Sequence, residues 1–187
     1  MSYLKSIIVS FKSIIVKGIN MNPKLAVKRY LKKGVIIGKN VELYDTQIDS
    51  KRGFLVSIGD NVIITGTHIL THDASTKLFV GYTKVGNVSI GNNVFIGVGC
   101  IILPGVTIGN NVIIGAGTVI SKSVSDNAIV VGNPQLVIGT IENFIEKNVN
   151  SLKNSPIFQN KKKYDNSDMI EMKKLLENSI GYIKTNK

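Results

Sequence analysis

The 187-residue chain holds two histidines, His68 and His72, and one cysteine, Cys100. A neutral imidazole, with an unperturbed pKa of about 6.5, can take the proton of a hydroxyl as that oxygen attacks a carbonyl. His72 is the candidate for such work, because it lies in "LTHDAS", where a repeating pattern breaks and the chain departs as a loop. Loops held on a rigid scaffold are where chemistry concentrates. His68 stands four residues after Ile64, at the second inward position of its repeat, and is expected to be structural. Asp73 could orient an imidazole or bind an acceptor hydroxyl, and it could equally do no more than turn the loop. A lone cysteine forms no intramolecular disulfide and no zinc site by itself, so a reducing cytoplasm is the simplest compartment.

What positions His72 is a beat of six. Isoleucine recurs at Ile90, Ile96, Ile102, Ile108, Ile114 and Ile120, and four residues after each come Val94, Cys100, Val106, Val112, Thr118 and Val124. An α-helix would scatter positions six apart around its axis, and a flat strand would alternate every two. Short strands that bend repeatedly in one direction satisfy a period of six, stacking so that each coil pairs with the next. Glycine and asparagine fill the slots where such a coil turns its corners. The fold expected is an all-β solenoid, a parallel β-helix over residues 35–139 with flanking N- and C-terminal α-helices. The beat extends upstream through "IGKNVE" from Ile37 and "IGDNVIITGTHIL" from Ile58, with Ile64 and Leu70 in step, and residues 71–87 leave it as an excursion.

Residues 1–34 form an N-terminal helical segment. Leu4, Ile7, Ile8, Phe11, Ile14 and Ile15 fall on a helical period, and "NPKLAVKRYLK" makes a second short helix with proline near its start and Gly34 after its end. Residues 140–187 read as a polar, lysine-rich connector over 154–166 followed by a helix from about Asp168 to Ile183, capped by Ser167 or Asp168. These helices are expected to cover the raw ends of the stack.

The run "IGNNVFIG…ILPGVTIGNNVIIGAGTVISK…VGNP", with its histidine-bearing excursion, resembles the hexapeptide-repeat acyltransferases, especially the sugar O-acetyltransferases related to the galactoside and maltose enzymes. The resemblance implies a left-handed β-helix, a homotrimer with active sites between subunits, acetyl-CoA as co-substrate, a sugar or saccharide acceptor and no metal. His72 matches the family's catalytic histidine. Ala116, Ser121 and Lys122 match positions that contact coenzyme A, and Phe95 takes the place of a tryptophan common in relatives. A thin pantetheine arm suits corners without side-chain bulk, here Gly97, Gly99, Gly115, Ala116 and Gly117. Relatives carry arginines after the closing proline, where this chain has Gln135 and Leu136.

The implied function is acetyl transfer to a sugar hydroxyl, in the making of a capsular or surface polysaccharide. N-acetylation of an aminosugar nucleotide, antibiotic acetylation and a non-enzymatic trimeric scaffold are the alternatives. A carbonic anhydrase on the same solenoid needs three histidine ligands, which two histidines cannot supply. The net charge of +11 draws anions without choosing among them. Nucleic acid is not the expected partner, since no aromatic-interleaved basic strand is present. No stretch reaches the roughly 18 apolar residues of a membrane span. The lysines beside the apolar stripe of residues 3–17 suit peripheral contact with the inner face of a membrane.

Overall fold

The computed structural model describes residues 22–49 and 51–185. The proposed amphipathic helix over residues 3–17 lies outside the described residues. Two compact units divide the chain after Ile141.

The first unit is built on three parallel sheets. Sheet I orders Ile36–Ile37, Val56–Ile58, Val88–Ile90 and Thr107–Ile108, and sheet III orders Gln47–Ile48, His68–Ile69, Ile101–Ile102 and Val119–Ile120. Sheet II orders Glu42–Tyr44, Val62–Thr65, Val94–Ile96, Ile113–Ile114 and Ala128–Val131, with Leu136–Thr140 added antiparallel at its end. The chain visits the sheets in the cycle I, II, III, and each strand pairs with the one a full turn later, as Ile96 does with Ile114 and Ile102 with Ile120. The inward positions are sealed: Ile96, Ile102, Ile114 and Ile120 are 0% exposed, with Val94, Cys100, Val106, Val112 and Thr118 beside them. Each buried aliphatic side chain contributes about 1.5–3 kcal/mol by leaving water. The two inward residues per side are the two apolar slots of the hexad.

Upstream of Ile90 the beat slips. Between Ile64 and the next buried residues, Thr67 and Ile69, the corner is one residue shorter than between Ile96 and Cys100. His68 therefore faces outward and exposed, opposite Gln47 and Ile101, which corrects its expected inward place. Ile69, and not Leu70, is the buried member of that strand.

Between sheets I and II every corner is the same. Asn40, Asn61, Asn93, Asn111 and Asn127 all adopt left-handed backbone, with φ from 54° to 63°. Their side chains form a continuous ladder, each Nδ2 donating to the next Oδ1 at 3.0 Å. Asparagine tolerates this conformation better than other residues with a Cβ and gains a partner above and below. Asn93→Ala is expected to lower stability by about 1–2 kcal/mol from the backbone alone. Asn93→Gly, which keeps the backbone free but breaks the ladder, should cost less. Urea unfolding of the two variants separates the contributions.

Helix α1, Pro23–Leu31, closes the first turn. Asn22 caps it by accepting the Leu25 N–H, and Tyr30 is buried where its hydroxyl donates to the Thr46 carbonyl and accepts the Ile48 N–H. At the other end of sheet II the strand Leu136–Thr140 pairs antiparallel with Ala128–Val131. Helix α2, Lys77–Val80, is a single turn inside the excursion.

The second unit holds helix α3, Ile141–Leu152 at its boundary, then Ile157–Gln159 paired in parallel with Tyr182–Lys184, and helix α4, Asn166–Leu176. The expected long terminal helix thus ends at Leu176, and its last residues form a strand. Asp165 caps α4, in a capping box with Asp168. The connector contains a strand, and α3 was not anticipated, although Ile141, Phe144, Ile145, Val149 and Leu152 fall on a helical period.

Candidate active site

The chemistry collects along the edge where sheet III turns into sheet I. The Leu70 N–H donates to the Ile102 carbonyl and the Leu103 N–H to the Ile120 carbonyl, so three successive turns leave sheet III in stack. Thr71 and His72 leave from one turn, Pro104 and Gly105 from the next, and Ser121 and Lys122 from the one after. At about 4.8 Å per turn, the last pair stands on the order of 10 Å from His72 along the edge.

His72 begins the excursion, pairing antiparallel with Val85, while Asp73 pairs with Lys84. Its Nδ1 lies 2.6 Å from Oδ2 of Asp49, a carboxylate left 8% exposed, whereas the imidazole is 37% exposed. The same Oδ2 accepts the hydroxyl of the buried Thr71 at 2.6 Å and faces the Arg52 guanidinium at 3.6 Å. Oδ1 accepts the Lys51 N–H at 3.2 Å. Burial alone would raise the Asp49 carboxyl. The hydrogen bonds from Thr71, His72 and Lys51, with the nearby His72 charge, outweigh it and hold the group below its ordinary value. An ionised carboxylate only accepts, so Nδ1 carries the proton and the Nε2 lone pair is free to take another.

Asp73, by contrast, accepts the Ser75 N–H at 2.8 Å and turns the loop. That hydrogen bond, foremost, holds its carboxyl below the usual range, helped by the Lys84 and His72 charges. Asp49 is the residue that sequence reasoning missed. It precedes His72 by 23 positions and is brought beside it because Ile48 pairs with Ile69.

The glycine corner stands on a different edge, between sheets II and III. Gly99 and Gly117 have φ of 74° and 71°, and a Cβ on either would meet only open space, so conformation and not crowding requires glycine there. Gly97 is buried, with the Ala116 nitrogen 2.6 Å from where a Cβ would stand. Gly115 is half-buried and Ala116 exposed. Phe95 is 44% exposed on the outer face of sheet II, between Ile63 and Ile113. Within one chain the structure brings His72, Ser121 and Lys122 to one edge and leaves the glycine corner on another. Gln135 reaches back to the first of these edges. Its Oε1 accepts the Ser121 and Lys122 N–H groups at 2.7 and 2.9 Å, and its Nε2 donates to the Lys122 carbonyl at 3.0 Å. What Ser121 and Lys122 offer a ligand is therefore their side chains. Burial pushes the Cys100 thiol up, and its Sγ packs against the Gly115 carbonyl inside the coil.

Residues 87–122 match the family described as "Bacterial transferase hexapeptide (six repeats)". Protein CapG of Staphylococcus aureus is 42% identical over 134 residues, 68% of this chain and 78% of CapG. The chain belongs to the hexapeptide-repeat bacterial transferases. YvoF of Bacillus subtilis (strain 168), provisionally named an acetyltransferase, is 41% identical over 93 residues, and the chain spans 52% of its length against 49% of its own. Among solved structures, the hexapeptide-repeat acetyltransferase VCA0836 of Vibrio cholerae superposes with a TM-score of 0.52 at 24% identity, over 58% of this chain and 64% of that one, a likeness of fold. In this hexapeptide transferase the repeat region carries Phe95, the glycine corner and Ser121 to Lys122, whereas His72 and Asp49 lie upstream of the match. Among the described residues no group of three His, Cys, Asp or Glu side chains is placed to hold a metal ion. No described helix is long and apolar enough to cross a membrane.

Proposed function

We propose that this hexapeptide transferase moves an acetyl group from acetyl-CoA to a sugar hydroxyl, with His72 as general base and Asp49 as its orienting carboxylate. The observation that carries the reading is the 2.6 Å contact between His72 Nδ1 and Asp49 Oδ2. In the reaction the acceptor hydroxyl gives its proton to His72 Nε2 as its oxygen bonds to the thioester carbonyl carbon. The tetrahedral intermediate collapses with cleavage of the carbon–sulfur bond, and the imidazolium returns the proton to the departing thiolate. An acetyl ester and coenzyme A result. Asp49 keeps the imidazole in the productive tautomer and stabilises the positive charge it acquires.

The acetyl donor is supported by the name of YvoF, and VCA0836 has also been solved with acetyl coenzyme A. On the His72 edge, the Lys122 ammonium would meet a donor phosphate as a point charge. Asp73 remains a proposed acceptor contact, and the acceptor itself, a sugar of a capsular or surface polysaccharide, rests on the resemblance of the repeats. We propose a left-handed coil and a homotrimer. The support for the trimer is the separation of His72 from Phe95 and the glycine corner, since a neighbouring copy can set its glycine edge against the His72 edge and complete the groove.

The test is thiol release from acetyl-CoA across a panel of sugars, sugar nucleotides and oligosaccharides, on protein whose mass in solution is measured by light scattering. The expected outcome is acceptor-dependent release from a particle of three 20.3 kDa chains. A monomer, or release indifferent to any acceptor, would count against the reading.

A further inference from the structure

The first carboxylate of the chain is Glu42, and before it stand nine cations, Lys5, Lys12, Lys17, Lys24, Lys28, Arg29, Lys32, Lys33 and Lys39. Helix α1 is where the described structure gathers most of them. Its inner face is fixed to the coil by Ala26 and Tyr30, 2% and 4% exposed. On its outer side, Lys24, Lys28 and Lys32 follow at four-residue steps and form one stripe. Leu25, Lys28 and Leu31 follow at three-residue steps and form another, with the leucines 55% and 49% exposed. Arg29 and Lys33 lean over the Tyr30 ring, at 4.7 and 5.7 Å from its centre. None of these cations makes an ion pair among the described residues.

What can cover such a face must supply negative charge together with apolar contact. Residues 1–21 add three lysines and no carboxylate, so they bring no negative charge to it. A second copy laid on this face through its own α1 would set lysine against lysine. A nucleic-acid backbone would meet the lysines but offers nothing to Leu25 and Leu31. The boundary between headgroups and acyl chains of an anionic bilayer meets both. We infer that α1 docks the protein on an anionic phospholipid surface, with Lys24, Lys28 and Lys32 at the phosphates and Leu25 and Leu31 at the acyl boundary. The inference concerns α1 and draws on no step of the proposed reaction.

The full chain is tested by co-sedimentation with vesicles of phosphatidylcholine alone and of phosphatidylcholine mixed with phosphatidylglycerol. Binding is expected only to the mixed vesicles and should weaken as salt rises to about 0.5 M. Each of Lys24→Gln, Lys28→Gln and Lys32→Gln should lower the partition coefficient about fivefold. The pair Leu25→Ser and Leu31→Ser should lower it further at unchanged charge. These side chains point outward, and an unaltered melting temperature certifies the fold of each variant. Equal binding to neutral vesicles, no binding to either, or unchanged binding of a variant that carries all three lysine substitutions overturns the inference. So does a result in which duplex DNA binds as tightly as the mixed vesicles and the leucine pair changes nothing.

Discussion

With His72→Ala, turnover falls by about 10² to 10⁴, the range that a positioned general base contributes. Acetyl-CoA affinity, measured by calorimetry, should stay close to that of the wild type, because in the proposed reaction the imidazole meets the acceptor's proton and not the donor's nucleotide. The two readouts together separate loss of the base from loss of the fold. Wild-type turnover by His72→Ala would falsify the assignment.

Asp49→Asn is the second large effect, because the carboxylate serves three donors with two oxygens. Thr71 and His72 both donate to Oδ2 and the Lys51 N–H donates to Oδ1. An amide has one acceptor oxygen and must turn its NH₂ toward one of these sites. Turned toward His72, it forces the proton onto Nε2 and removes the base. Turned toward Lys51, it keeps the tautomer but leaves the imidazolium without a counter-charge. In either orientation kcat should drop by at least about 10², with KM for acetyl-CoA little changed. A defect that is only structural would change KM as well as kcat.

Stability offers an independent check on the same variant. The Asp49 carboxyl is held below its ordinary value in the folded protein. Its contribution is therefore fully present above the unfolded-state pKa of about 3.9 and is lost as pH falls through the lower folded-state value. Unfolding of wild type and Asp49→Asn should differ near neutrality and converge in strong acid. A gap that persisted undiminished there would mean that the ionised carboxylate is not what stabilises this edge.

The middle of the coil was legible because its physics is strictly local. From Ile90 to Val124 every side holds six residues and two inward slots, so small or β-branched residues recur without a slip. His68 was misread for the same reason. Its corner is one residue short, and a count that assumes six turns an outward residue inward. Asp49 was invisible because its partner is set by strand pairing across a turn of 21 residues, Ile48 to Ile69, and not by any spacing within a motif. His72 could be singled out only because the excursion interrupts the beat. The second unit defeated the reading for a different reason. The apolar residues of α3 fall on a helical period, yet Phe144, Ile145 and Val149 stay substantially exposed, and the polar residues among them resemble a linker.

The corners carry one more consequence. Where sheet I passes into sheet II the asparagine ladder holds every turn to the same count. Where sheet III passes back into sheet I the connections run from Asp49 to Leu55, from Leu70 to Asn87, from Leu103 to Val106 and from Ser121 to Ser123. Length varies by a single residue between sheets II and III, so the large variation falls on the border that carries His72, while the seam between sheets I and II acts as a metronome for the stack. Segments of foreign length spliced at Pro104 to Gly105 should leave rung spacing intact and alter only what enters beside the imidazole. With His72 as the proposed base, this border is the natural place to retarget the enzyme toward a different acceptor.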